Sequence, residues 1–195
     1  MLLSQVKLKE MNIVENKILF DDPNLSMMQL DDWYTYAHMS RTQEAEDGSG
    51  QGVAVLVYTL TDEGKLDKIL GRYENCLPHK SEADGLTSIT GGVDKGSSII
   101  DSVLNELNEE AGYEDIDPGK LQDLGSCRPS KQEDSVWNLY AFDATGLERR
   151  EDSVGDGTKG EEDAYCEWVE PYVALGCKCP LVPTMFIRAG LGDLV

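Results

Sequence analysis

Residues 90–113 read TGGVDKGSSIIDSVLNELNEEAGY. It opens on a glycine turn, Gly91-Gly92, and a further glycine, Gly96, leads into Ser97-Ser98. Ser98 followed three residues later by Asp101 is a helix start of the capping-box kind. Gly112 suits a helix C-terminus. Between them Ile99, Ile100, Val103, Leu104, Leu107 and Ala111 share one side of a 3.6-residue helix. Glu106, Glu109 and Glu110 fall within an arc of roughly 100° beside that apolar face. Like charges at these spacings weaken a helix by a few tenths of a kcal/mol per pair. Carboxylates in the last turn also oppose the helix dipole. No Lys or Arg lies between Lys95 and Lys120 to relieve them. A hard divalent cation, Mg²⁺ or Mn²⁺, would turn that repulsion into ligation. The alternative is an acidic, solvated helix face in an acidic protein.

The acidity is general. The chain of 195 residues carries 37 acidic and 17 basic residues, a net charge of −20. That balance speaks against nucleic acid as a partner, because a phosphate backbone needs a basic surface, and against an anionic membrane. A phosphorylated small molecule remains compatible if a metal neutralises the site locally. A hydrophobic content of 40% suffices for one core. No apolar run is long enough for a transmembrane helix, and MLLSQVKLKEMNIVENK lacks the apolar centre of a signal peptide. Five scattered cysteines, Cys76, Cys127, Cys166, Cys177 and Cys179, complete no zinc pattern. They read as reduced thiols of a cytoplasmic protein.

Around the central stretch the chain alternates. VAVLVYT (Val53–Thr59) is a continuous apolar, β-branched run expected as a buried central strand. LDKILGRYE follows as a strand, ENCLPHKSEADG as a loop, and LTSIT as the strand that delivers Gly91. After the helix, KLQDLGSCRP and SVWNLYAFDA form an expected hairpin. GLERREDSVGDGTKGEED (146–163) is a long polar loop. AYCEWVE is a strand, PYVALG a short helix, CKCPLVP a loop, and PTMFIRAGL a final helix opened by Pro183. Residues 1–49 read as an accessory segment, with VKLKEMNIV and NKILF as short strands. Its aromatic cluster, Trp33, Tyr34 and Tyr36, follows Asp31 and Asp32 as possible caps. EAEDGSGQG is a polar break before the main domain at 50–195.

The stretch resembles the Nudix box, G-x5-E-x7-R-E-U-x-E-E-x-G-U with U aliphatic. Gly91, Glu106, Leu107, Glu109, Glu110 and Gly112 match at the family's spacing. Ser97 stands where the family has its first Glu, Asn105 where it has Arg, and Tyr113 at the last aliphatic position. The order of elements over roughly residues 50–192 is also similar to that family's fold. The resemblance implies an α/β protein, an α/β/α sandwich with a mixed β-sheet. It implies hydrolysis of a nucleoside diphosphate linked to a group X, with Mg²⁺ or Mn²⁺ as cofactor. Glu106 and Glu110 would be the principal metal ligands, Glu109 a third or water-mediated one, and the Thr90 carbonyl a further one. Gly91 and Gly92 would let the backbone approach the substrate. The N-terminal segment, the last helix and the acidic loop are similar to ADP-ribose pyrophosphatases. There the loop supplies the base, here Glu161 or Glu162, and the chains are homodimers. Arg41, Arg72 and Arg128 are cations suited to the phosphates. The departures at Ser97 and Asn105 leave a competing reading, a module of the same fold that binds a nucleotide or a partner with little or no turnover.

Overall fold

The computed structural model describes residues 16–20, 26–30, 34–39, 42–46, 48–74, 85–130, 133–151 and 164–194. Its centre is β4 (Gly50–Leu60), the apolar run read from the sequence. β4 is buried from both sides because its alternate residues feed different cores. Val53, Val55 and Val57 enter one cluster with Val103, Leu107, Tyr140 and Phe142. Ala54 and Leu56 enter the other with Leu139, Leu181, Met185 and Phe186. The helix α1 (Ile99–Glu109) therefore covers one face of the sheet, and α3 (Leu181–Arg188) covers the other. This is the expected layered α/β arrangement.

The sheet is mixed. β9 (Glu133–Asp143) runs parallel to β4 from Gly50↔Ser135 to Tyr58↔Asp143. β8 (Leu121–Cys127) folds back antiparallel onto β9, as a hairpin should. On the other side of β4 lie β5 (Leu66–Tyr73), antiparallel over Tyr58–Leu60, and β7 (Ile89–Gly92), antiparallel over Gly52–Val55. The expected LTSIT strand is split at Ser88, its first part being β6 (Leu86–Thr87), which pairs with the end of β5. β10 (Tyr165–Val169) closes this edge against β5, placing Cys166 opposite Arg72. α2 (Pro171–Leu175) follows it. α3 starts at Leu181, two residues before the expected Pro183; that proline occupies the helix's first turn, where no intrahelical N–H is needed.

The N-terminal part is more strand-rich than its sequence suggested. β1 (Asn16–Phe20), β2 (Ser26–Leu30) and β3 (Tyr34–His38) form an antiparallel set that extends the sheet through a short parallel pairing of β3 with β9. The segment SMMQL carried no strand signal because a neighbour strand, not alternation, fixes it. VKLKEMNIV, Asp31, Asp32 and Trp33 lie outside the described residues. Among the described residues no helix is long and apolar enough to cross a membrane.

Candidate active site

The site is built where β7 hands the chain to α1. Ser98 caps the helix: its Oγ accepts the Asp101 N–H at 3.0 Å and donates to the Asp101 carboxylate at 2.7 Å. At the other end the Tyr113 N–H returns to the Leu107 carbonyl at 2.9 Å, across Gly112 at φ +77°. A side chain at Gly112 would also strike the backbone of Arg150. Both ends of the predicted helix are thus set by the residues that marked them.

The carboxylates differ in surroundings. Glu109 is exposed and Glu106 half-buried. Glu106 lies so close over Gly91 that a Cβ on Gly91 would land on its carboxylate oxygen. That contact is the physical reason for glycine at the head of the motif. Glu110 is buried, 3% exposed. Its Oε2 accepts the Thr90 N–H at 3.0 Å, and its Oε1 meets Arg72 Nε at 3.0 Å. Burial pushes the Glu110 carboxyl up to about 9; Arg72 pulls it down, Glu106 pushes it up, the Thr90 N–H pulls it down and Glu74 adds to the rise. Glu106 and Glu110 therefore stand near enough to repel, and a cation bound between them would relieve that repulsion.

Arg72 takes a place the sequence did not suggest. It was expected as a cation for the substrate, but it is 1% exposed, one of the largest fully buried side chains. Its Nε also meets Glu74 at 3.2 Å. Among the described residues it holds Glu110 rather than facing solvent. The signal was present in β5, where Arg72 falls on the same strand face as Leu70. Cys166, opposite Arg72 on β10, donates from Sγ to the Glu110 carbonyl at 3.2 Å, and burial pushes its thiol up to about 11. Arg150 serves the helix end from outside the motif: it donates to the Asn108 carbonyl at 2.9 Å and to its side-chain oxygen at 2.7 Å, and its Nε meets Glu114 at 3.1 Å. The cations missing from the helix are supplied by residues distant in sequence.

Arg128 is placed differently again. It meets Asp134 at 3.4 Å and Ser49 at 2.9 Å. It borders a cavity of about 890 Å³, shared with Gln43, Gln51 and Asn138, whose walls do not include the helix carboxylates. A second cavity of about 430 Å³ is lined by Glu74, Leu86, Glu133, Trp137 and Lys178. Glu74 joins its wall to Arg72 and so to Glu110. Arg41, Glu161 and Glu162 lie outside the described residues. Among the described residues no three His, Cys, Asp or Glu side chains are already gathered as a metal cage. The donor set nevertheless suits a hard cation. Glu106 is directed at the glycine turn, Glu109 is accessible, and each Glu110 oxygen keeps a lone pair beyond its present partner.

Neither a protein-family model nor a curated protein matches the sequence. Solved structures do match. One, described as an ADP compounds hydrolase, is 16% identical with a TM-score of 0.56, over 93% of this chain and 94% of that chain. A NUDIX hydrolase from Nitrosomonas europaea is 18% identical with a TM-score of 0.54, over 74% of this chain and 90% of that one. The chain has the Nudix fold. In this fold Glu106 lies over Gly91, Glu110 joins Thr90 of β7 to Arg72 of β5, and Gly112 closes α1 against Arg150.

Proposed function

We propose that the protein hydrolyses a nucleoside diphosphate linked to X, with ADP-ribose or a related nucleotide sugar as substrate and AMP and a sugar phosphate as products. The observation that carries this reading is the pairing of Glu106 over Gly91 with Glu110 in the Arg72 clamp. A diphosphate repels a nucleophile, and Mg²⁺ or Mn²⁺ bound there would neutralise it and acidify the attacking water. Glu106 and Glu110 would hold the ion, with Glu109 and the Thr90 carbonyl beside them. Arg72 and the Thr90 N–H fix the Glu110 carboxylate, so little reorganisation is needed on binding. Gly91 and Gly92, expected against the diphosphate, instead have the Glu106 carboxylate and the Thr42 methyl in the space a side chain would take. The cavity beside Glu74 accepts the rest of the substrate; Arg41 and Arg128 are the remaining cations assigned to its phosphates. The proton of the attacking water goes to Glu161 or Glu162 in the acidic loop, or to Glu109 if the helix completes the chemistry alone. We assign the chain to the cytoplasm as a homodimer.

A second reading keeps the fold and the ligand but not the turnover. The absence of the motif's own Glu at Ser97 and Arg at Asn105 favours it. A panel of nucleoside diphosphate compounds with Mg²⁺ and with Mn²⁺, read as AMP release, separates the two. The hydrolase reading expects release from ADP-ribose, lowered about 10²–10⁴-fold in either Glu161→Gln or Glu162→Gln, with the metal-induced melting shift retained. Binding without AMP release from any compound would support the second reading.

A further inference from the structure

Thr42 and Gln43 precede the main domain, yet both lie against the loop between β7 and α1. The Gln43 N–H donates to the Val93 carbonyl at 2.7 Å, and its Oε1 accepts the Gly96 N–H at 3.1 Å. The Val93 N–H in turn reaches the Gln51 carbonyl at 3.0 Å, and the Gln51 N–H the Gln43 carbonyl at 3.0 Å, which closes the circuit. Thr42 is 2% exposed; its Oγ accepts the Gln51 N–H at 3.1 Å, and its methyl lies where a Cβ on Gly92 would come within 3.0 Å. Thr42 also bridges Asp94. Gly96 sits at φ +91°, inside the turn that the Ser97 N–H closes on the Asp94 carbonyl at 3.0 Å, and Gln43 adds a contact from outside that turn. Two adjacent residues thus grip the loop at Gly92 and Gly96, directly after the glycine that Glu106 overlies.

We propose that Gln43 is a positioning residue for the site: its side chain fixes the loop from Gly91 to Gly96 and, through Gly91, the Glu106 carboxylate. The inference rests on the reading of Glu106 as a group that acts on metal and diphosphate. Misplacement of a reacting group by about 1 Å can cost around a hundredfold in rate, so a loop loosened by less loses on the order of tenfold. Gln43→Ala removes only the side-chain bond and keeps the backbone bonds. Gln43→Glu keeps an oxygen acceptor at the same reach.

The test uses the full chain, ADP-ribose as substrate, and Mn²⁺ affinity by electron paramagnetic resonance. For Gln43→Ala we expect kcat to fall roughly tenfold with KM within about twofold, and Mn²⁺ binding to weaken. Exchange of the Gly96 amide should quicken while the melting temperature stays within about 4 °C. Gln43→Glu should restore rate and Gly96 protection. Unchanged kcat and Mn²⁺ affinity in Gln43→Ala would overturn the proposal, as would equal losses in both variants that track the melting temperature. If the wild-type chain releases no AMP, the hydrolase reading fails by itself. Mn²⁺ affinity and Gly96 exchange then decide the role of Gln43, weakened binding supporting it and unchanged binding overturning it.

Discussion

The two ends of α1 are secured by different means. At the N-terminus the cap is local, with Ser98 and Asp101 bonding each other within one turn. At the C-terminus the close across Gly112 is local as well, but for Glu106, Glu109 and Glu110 the helix supplies no cation of its own. Arg72 comes from β5 and Arg150 from the segment after β9. The difference teaches how a repulsive cluster persists. The helix is left uncompensated within its own sequence, and the tertiary structure supplies the opposite charge.

The largest effect should come from breaking the distant support. Above about pH 9, where Glu110 is ionised, Arg72→Met strands its charge, and breaking a buried pair there costs about 3–5 kcal/mol. The melting temperature should fall by roughly 6–20 °C. Arg150→Met, which removes a partly exposed contact to the same helix end, should cost less than about 1 kcal/mol. Equal losses in the two variants would erase the distinction between buried clamp and surface brace. Next comes Gly91→Ala, which drives a methyl into the Glu106 carboxylate. Overpacking costs about 1–3 kcal/mol, and stabilisation by Mg²⁺ should vanish with it. A variant that keeps its Mg²⁺ response would separate Gly91 from the site.

The pH dependence sharpens the picture. Glu110 faces Arg72 from β5, Glu74 just beyond that strand, Glu106 from its own helix and Cys166 from β10. Its folded value, about 9, lies above the ordinary 4.5 because it is buried. The native state then holds a proton that the unfolded chain gives up. The stabilisation from that group is full below about 4.5 and is lost as pH rises toward 9. In chelator, the melting temperature of wild-type protein should fall across that window more steeply than that of Glu110→Gln, which is neutral throughout. Parallel profiles would show that Glu110 is ionised in the folded protein at every pH tested. At the local end Ser98→Ala should cost about 1 kcal/mol, roughly 2–4 °C, with the Mg²⁺ response intact.

What was legible in the sequence follows the same division. The cap at Ser98, the apolar side of α1, the close at Gly112 and the apolar run of β4 are each written in residue types close together in sequence, and each is found where it was expected. The role of Arg72 depends on strand pairing that sets β5 beside β7 and α1. As a residue type it suggested a phosphate contact, and only its burial reveals the clamp. The same holds for Gln43, which a reading of residues 1–49 as an accessory segment separated from the motif it touches. β2 was not legible because SMMQL has no alternation of its own and is a strand through its neighbours β1 and β3. Asn105, where the motif's arginine was expected, is exposed on α1, while a guanidinium from another strand already holds Glu110.

We propose that the crowded carboxylates of α1 form a cation site. Its most direct test is thermal melting of the wild-type chain, Glu106→Gln and Glu109→Gln with chelator and with millimolar Mg²⁺ or Mn²⁺. Binding to the native state raises stability by RT ln(1 + [L]/Kd), about 2.7 kcal/mol at a hundredfold excess over Kd. The account expects a clear upward shift in the wild-type chain, loss of that shift in Glu106→Gln, and a smaller loss in the exposed Glu109→Gln. A wild-type protein whose melting temperature does not respond to either metal, or responds identically in Glu106→Gln, would contradict it.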